Sequence, residues 1–259
     1  MVSSRVFKGL FFALGAACFL FILVPIGNLF ISLELPELKE TIKDAEVWQA
    51  IGVTLQGAAL STAVGLILGV PAAYLLSEAE FKGKHLIEGA VNIPIVIPHV
   101  AVGIILLKLL NTNSPLGELL SKLGITFVDT LYGIVVAMCF VSISYIIASA
   151  LLGFKSVNRE LLWTARSLGA SPFQTFKLIL LPLSLSHIIR GAVLSFARAV
   201  SEVGALLIIA YYPKTAPILM YERFENYGLK ASTPIAALVI LISLLIFTIL
   251  LSIPTREER

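Results

Sequence analysis

Residues 154–182 read FKSVNRELLWTARSLGASPFQTFKLILLP and differ from every other connection in the chain. Asn158 is suited to cap a helix, and Glu160 sits well against the positive end of that helix's dipole. Leu161, Leu162, Ala165 and Leu168 then recur with helical period, leaving Arg159, Arg166 and Ser167 off the apolar stripe. Gly169 suits the left-handed residue that ends such a helix. After Ala170, the run Ser171-Pro172-Phe173-Gln174 starts another: a capping serine, proline at the first helical position, and glutamine three residues after the cap. The reading is a short helix, a glycine turn and a second short helix. The same periodicity also describes an amphipathic hairpin lying on a membrane surface, and spacing alone leaves both open.

The flanks decide the class. Of the 259 residues, 58% are hydrophobic and 14% charged, with a mean hydropathy of +0.96; soluble domains run at about 45–50% and 25%. The excess collects in six blocks, near 9–33, 52–76, 88–110, 131–153, 185–211 and 235–253. Each is long enough for a helix to cross a hydrocarbon core of ~30 Å. The blocks show no period-2 alternation, and backbone groups in lipid are satisfied within helices, so the expected fold is an all-α polytopic membrane protein with six transmembrane helices. The first block continues well past the small residues at 13–17 and is read as a retained helix rather than a signal peptide. With both termini cytoplasmic, Arg5, Lys8, Lys82, Lys84, Lys155, Arg159, Arg166, Lys177, Arg190, Arg256 and Arg259 lie inside. Lys39, Lys43, Lys122, Lys214, Arg223 and Lys230 then lie outside, as the positive-inside rule asks. A net charge of +3 without any Lys/Arg run speaks against nucleic acid. Cys18 and Cys139 both fall in apolar stretches and read as packing residues.

Within the blocks, four features carry chemistry. Gly57, Ser61, Gly65, Gly69, Ala73 and Ser77 recur every fourth residue, marking one helix face for close approach, either within the bundle or at a subunit or gate interface. Pro94 and Pro98 remove backbone donors beside Asn92 and His99, so the third span is expected to be bent or interrupted. Arg198 and Glu202, four apart in the fifth block with Ser201 between them, are expected to pair inside the membrane. Tyr211, Tyr212, Tyr221, Phe224 and Tyr227 gather at the outer face with Pro213 and Pro217, as an aromatic belt does. There is no Gly-x-x-x-x-Gly-Lys-Ser/Thr loop to hold ATP phosphates, and His85, His99 and His187 show no metal-ligand spacing. No metal site and no catalytic residue is expected.

The hairpin also resembles a known element. Trp163-Thr164-Ala165, three residues, Gly169, nine residues, then Ile179-Leu180-Leu181-Pro182 matches the spacing of the "EAA" loop of ABC importer permeases. Trp163 stands where that loop has Glu and Thr164 where it has the first Ala. Across residues 48–253, Pro94-Ile95-Val96-Ile97-Pro98-His99, Ser195-Phe196-Ala197-Arg198-Ala199-Val200-Ser201-Glu202-Val203-Gly204-Ala205, Ala210-Tyr211-Tyr212-Pro213 and Tyr221-Glu222-Arg223-Phe224 are similar to permeases of the molybdate/tungstate type. The resemblance implies a type I ABC importer permease fold with cytoplasmic coupling helices between spans four and five. It implies a permease domain at 48–253, preceded by a first helix and outer loop at 1–47 and followed by a cytoplasmic tail at 254–259. It implies a homodimer with two ATP-binding subunits that use ATP and Mg, and an extracytoplasmic oxyanion-binding protein; this subunit itself would bind no cofactor. Asn158, Glu160, Leu161, Trp163, Thr164, Ala165, Gly169, Ala170, Ser171 and Pro172 would form the ATPase-coupling loop. Pro94, Pro98, His99, Arg198, Ser201 and Glu202 are pathway or gate candidates, and Tyr211, Tyr212, Tyr221 and Arg223 are candidates for docking the binding protein or for an outer gate. A permease for sulfate or another oxyanion, or an ion-coupled secondary transporter, are the alternatives.

Overall fold

The computed structural model describes residues 4–80 and 82–252; the expected tail at 254–259, with Arg256 and Arg259, lies outside the described residues. Every regular element among the described residues is helical. In chain order they are α1 (Ser4–Ile31), α2 (Leu35–Lys43), α3 (Ala45–Glu78), α4 (Lys84–Val96), α5 (His99–Leu110), α6 (Pro115–Lys122), α7 (Leu131–Ser156), α8 (Arg159–Ser167), α9 (Pro172–Thr175), α10 (Leu181–Leu183), α11 (Leu185–Val200), α12 (Leu206–Ile209), α13 (Ala216–Tyr227) and α14 (Leu229–Leu251). A π-helical turn, Phe176–Leu180, joins α9 to α10.

Four helices are long and apolar enough to cross a membrane unaided: Phe7–Ile31, Ala45–Glu78, Leu131–Ser156 and Leu229–Leu250. Two bent pairs raise the number to as many as six. The first pair is α4 with α5, turned by 107°. Of the two prolines expected to disturb this span, Pro94 is absorbed inside α4 and Pro98 makes the break. The reason is that a proline pushes the residue before it out of the helical region, and Ile97 is extended at φ −66°, ψ 133°. The second pair, Pro172–Leu183 with α11, turns by 68° at Ser184.

Here the fifth block departs from expectation. Its helix does not run over 185–211 but ends at Val200, and the chain turns before the short α12. Glu202 therefore lies beyond the helix that carries Arg198. Its Oε1 accepts the Ala205 N–H at 2.8 Å, so the turn is held by the carboxylate itself. The sixth span starts earlier than its apolar block, at Leu229, with Pro234 accommodated near its start. The short helices α2, α6 and α13 fall outside the hydrophobic blocks.

The core is built where α3, α7 and α11 meet. The row of small residues faces inward: a Cβ on Gly57 would stand 2.8 Å from Ile134 Cγ2, and one on Gly65 2.8 Å from Ile146 Cδ1. The row thus serves packing within this bundle, the plainer of its two readings. Ser195 Oγ donates to Ser142 Oγ at 3.0 Å across α11 and α7, both side chains buried. Such contacts matter because lipid tails give apolar side chains no preference for one another, and helices in a membrane associate through close fit and hydrogen bonds. α1 lies at the edge against α14, its apolar window unburied within the chain. Gly57→Leu is expected to lower stability by about 1–3 kcal/mol through overpacking, whereas Ile67→Ala, on an outward-facing position, is expected to change it little. Thermal unfolding of both variants in detergent checks this.

Candidate functional site

Three constellations stand out along the bundle. The first is the hairpin after α7. Asn158 Oδ1 accepts the Glu160 N–H at 2.9 Å and starts α8 as its sequence implies. Gly169 closes the helix at φ 93°, a left-handed conformation that a side chain resists. Ser171 and Gln174 then form a reciprocal capping box: the Gln174 N–H donates to Ser171 Oγ at 3.2 Å, and the Ser171 N–H to Gln174 Oε1 at 2.8 Å. Pro172 takes the first helical position of α9.

The apolar stripe behaves differently from its pattern. Leu162 alone of the four is buried, in a cluster with Ala73, Leu76, Phe154, Leu180 and Ile188. The rings of Tyr74 and Phe176, 4.9 Å apart, fix the second arm to α3. Leu161 is 50% exposed, Trp163 64%, Leu168 84% and Phe173 68%. Thr164 is also exposed, and Ala165 and Ala170 are half-buried. The physical reason is geometric: the hairpin caps the ends of α3 and α7, and one leucine fills the available socket. Glu78, the last residue of α3, holds α8 from the other side, pairing with Arg159 and, at 3.3 Å, with Arg166.

The second constellation lies within the bundle. The break at Pro98 brings His99 to the end of α11, where Arg198 Nη2 lies 2.7 Å from Glu202 Oε2 and His99 Nδ1 lies 2.8 Å from the same oxygen. Arg198 Nη1 donates to Ser201 Oγ at 3.2 Å. Glu202 is fully buried, and its other oxygen is occupied by the Ala205 N–H. Pairing is what a carboxylate in such surroundings requires. Backbones press together beside it, since a Cβ on Gly103 would meet the Ala205 carbonyl at 2.6 Å. Pro94 lies inside α4, away from this cluster.

The third lies at the far end of α3. Lys214 reaches Glu46 at 2.9 Å and Glu222 at 2.8 Å, while Arg223 reaches Glu46 at 2.8 Å and Asp44 at 3.0 Å. Tyr211 donates its hydroxyl to Glu222 at 2.7 Å. Of the residues expected at an outer surface, Tyr211 and Arg223 are thus engaged within the chain, and Tyr212 and Tyr221 stand exposed. The hydrogen bond from Lys214 holds the Glu222 carboxyl below its ordinary range, and the two carboxylates raise Lys214. The bond to Glu222 pushes the Tyr211 phenol up to about 12. Glu78, Asp44 and Glu46 were not singled out from the sequence, because the cations they meet are far away along the chain and no local spacing marks them.

Residues 65–255 match the family described as binding-protein-dependent transport system inner membrane components. The chain belongs to that family. It is 43% identical over 242 residues to the molybdate/tungstate transport system permease protein of Pyrococcus furiosus, covering 93% of this chain and 92% of the relative. It is 44% identical over 232 residues to the protein of the same description from Methanocaldococcus jannaschii, covering 90% of each. A chain of a bacterial alginate ABC transporter shares its fold, with a TM-score of 0.73 at 18% identity over 95% of this chain and 93% of that one. This family member is a multi-pass membrane subunit of a transport system, without a catalytic role of its own.

The third cluster yields a pH expectation for the permease. Glu222, depressed, contributes above the ordinary glutamate value and is lost as pH falls through its lowered one; Lys214, raised, contributes below the ordinary lysine value and is lost as pH rises through its raised one. A nitroxide at residue 225 is therefore expected to show constant mobility from about pH 5 to about pH 10, and to loosen only as pH falls through the lowered Glu222 value or rises through the raised Lys214 value. Its mobility across the titration checks this.

Proposed function

We infer that the chain is the permease subunit of an ATP-driven importer for molybdate and tungstate. The observation that carries the ATP-driven part is the hairpin of α8 and α9. It turns four large apolar side chains outward while caps, a buried leucine and an ion pair hold it to the bundle. An exposed apolar face of this kind, held to the bundle from behind, supports a protein-docking reading. The substrate assignment is supported by relatives above 40% identity over nine-tenths of the chain that carry this description.

In this reading the fold is the type I importer permease with six spans, the two bent pairs serving as spans three and five. The domain spans 48–253, and both termini lie in the cytoplasm with the hairpin. Two copies assemble with two ATP-binding subunits, which bind ATP and Mg while this subunit binds neither. Trp163, Leu161, Leu168 and Phe173 meet the ATPase, so its receiving cleft is apolar where the usual loop offers a carboxylate. At the far end, exposed Tyr212 and Tyr221 face the extracytoplasmic binding protein, and the ion cluster of Lys214 and Arg223 steadies that segment. His99, Arg198, Ser201 and Glu202, placed by the break at Pro98, line the gate. Glu202 offsets Arg198, which suits a pathway that an oxyanion must leave as readily as it enters.

The test is uptake in proteoliposomes holding the permease, its ATPase and the binding protein. ATP-dependent accumulation of molybdate and tungstate is expected, with sulfate competing poorly; preferred uptake of sulfate would replace the substrate assignment. Trp163→Ala is expected to weaken ATPase association by about 10- to 100-fold, as loss of an aromatic anchor does. Unchanged association would refute the docking face.

A further inference from the structure

We propose that Glu78 is a positioning residue that sets the roll of α8, and so decides which side chains the hairpin presents; this rests on the reading of that hairpin as the ATPase-docking face. Within α8 only Leu162 is buried, so packing alone leaves rotation of this nine-residue helix weakly opposed. Two further attachments stop the rotation. Arg159 pairs with Glu78 and donates to the Ser77 carbonyl at 2.8 Å, and Arg166 pairs with the other Glu78 oxygen at 3.3 Å.

Arg159 and Arg166 are seven residues apart, so at 3.6 residues per turn they share one helix face about two turns apart. By the same geometry Leu161, Ala165 and Leu168 lie on the opposite face. Clamping the arginines to α3 therefore aims Leu161 and Leu168 away from the bundle, as their exposure shows. Glu78 also sits at the C-terminal end of α3, where the helix dipole disfavours a carboxylate. Two guanidinium groups on one such carboxylate offset that penalty and make the junction depend on charge rather than on packing. Partly exposed ion pairs contribute little to overall stability, so removing this one changes the direction of the docking face without unfolding the bundle.

The experiment uses the complete complex of permease, ATPase and binding protein in proteoliposomes, reading oxyanion taken up per ATP hydrolysed. Glu78→Gln is expected to leave the unfolding temperature and complex assembly unchanged and to lower uptake per ATP about fivefold, the scale that loss of surface ion pairs allows. Reversing the charges together, Glu78→Arg with Arg159→Glu and Arg166→Glu, is expected to restore most of the coupling, which a purely structural role for the carboxyl would not do. A nitroxide at residue 168, paired with one at residue 67 on α3, is expected to show a broader distance distribution in Glu78→Gln. Uptake per ATP within twofold of the parent, or a triple variant no better than Glu78→Gln, overturns the proposal. If Trp163→Ala is also silent, the docking reading fails with it; if Trp163→Ala uncouples and Glu78→Gln does not, only the positioning role fails.

Discussion

The close approach of α3 to α7 carries the rest of the molecule. Side chains surrounded by lipid gain nothing by leaving it for one another, so only fit and polar contacts hold two spans together. Gly57, Gly65 and Gly69 supply the fit, each lying where a Cβ would press on an isoleucine of α7. α11 enters the same junction with Gly191 against Ser149 and with the buried hydroxyl pair of Ser142 and Ser195. The hairpin of α8 and α9 leaves the end of α7 and returns through the π-helical turn toward α11. Both of its ends are therefore fastened to the tightest part of the bundle.

How far the sequence reveals this depends on the range of each interaction. The hairpin is legible residue by residue because caps are local: Asn158, Gly169 and the Ser171–Gln174 box each act within a few positions. The small-residue row is legible for the same reason, as helical period puts it on one face. The break at Pro98 is readable from proline chemistry, though Pro94 shows that one proline can be absorbed where its neighbour is not. Contacts across the chain are not readable. Glu78 meets arginines 81 and 88 positions away, and Glu46 meets Lys214 and Arg223 across 168 and 177. The end of α11 was also hidden, because residues 201–211 are apolar enough to continue a span, while the turn is set by Glu202 accepting from Ala205.

The two kinds of ion cluster follow different physics. Glu202 is buried with every oxygen engaged, so separating it from Arg198 and His99 would leave a charge in surroundings of low dielectric, at a cost of several kcal/mol. The pairs of Glu46 and Glu78 keep contact with water, where rearrangement is cheap. The same chemical groups thus form a stiff joint in one place and yielding ones in the others.

The length of α3 explains where the boundary falls. Its 34 residues extend to about 51 Å at 1.5 Å per residue, well beyond a hydrocarbon core of about 30 Å. Both terminal carboxylates, Glu46 and Glu78, are consequently carried out past the lipid into ion-containing water on either side. A single helix thereby becomes a rod with a rigid waist and two releasable couplings. A transporter that changes shape gains from such an arrangement: its outer fastenings rearrange at little cost while the waist keeps its register.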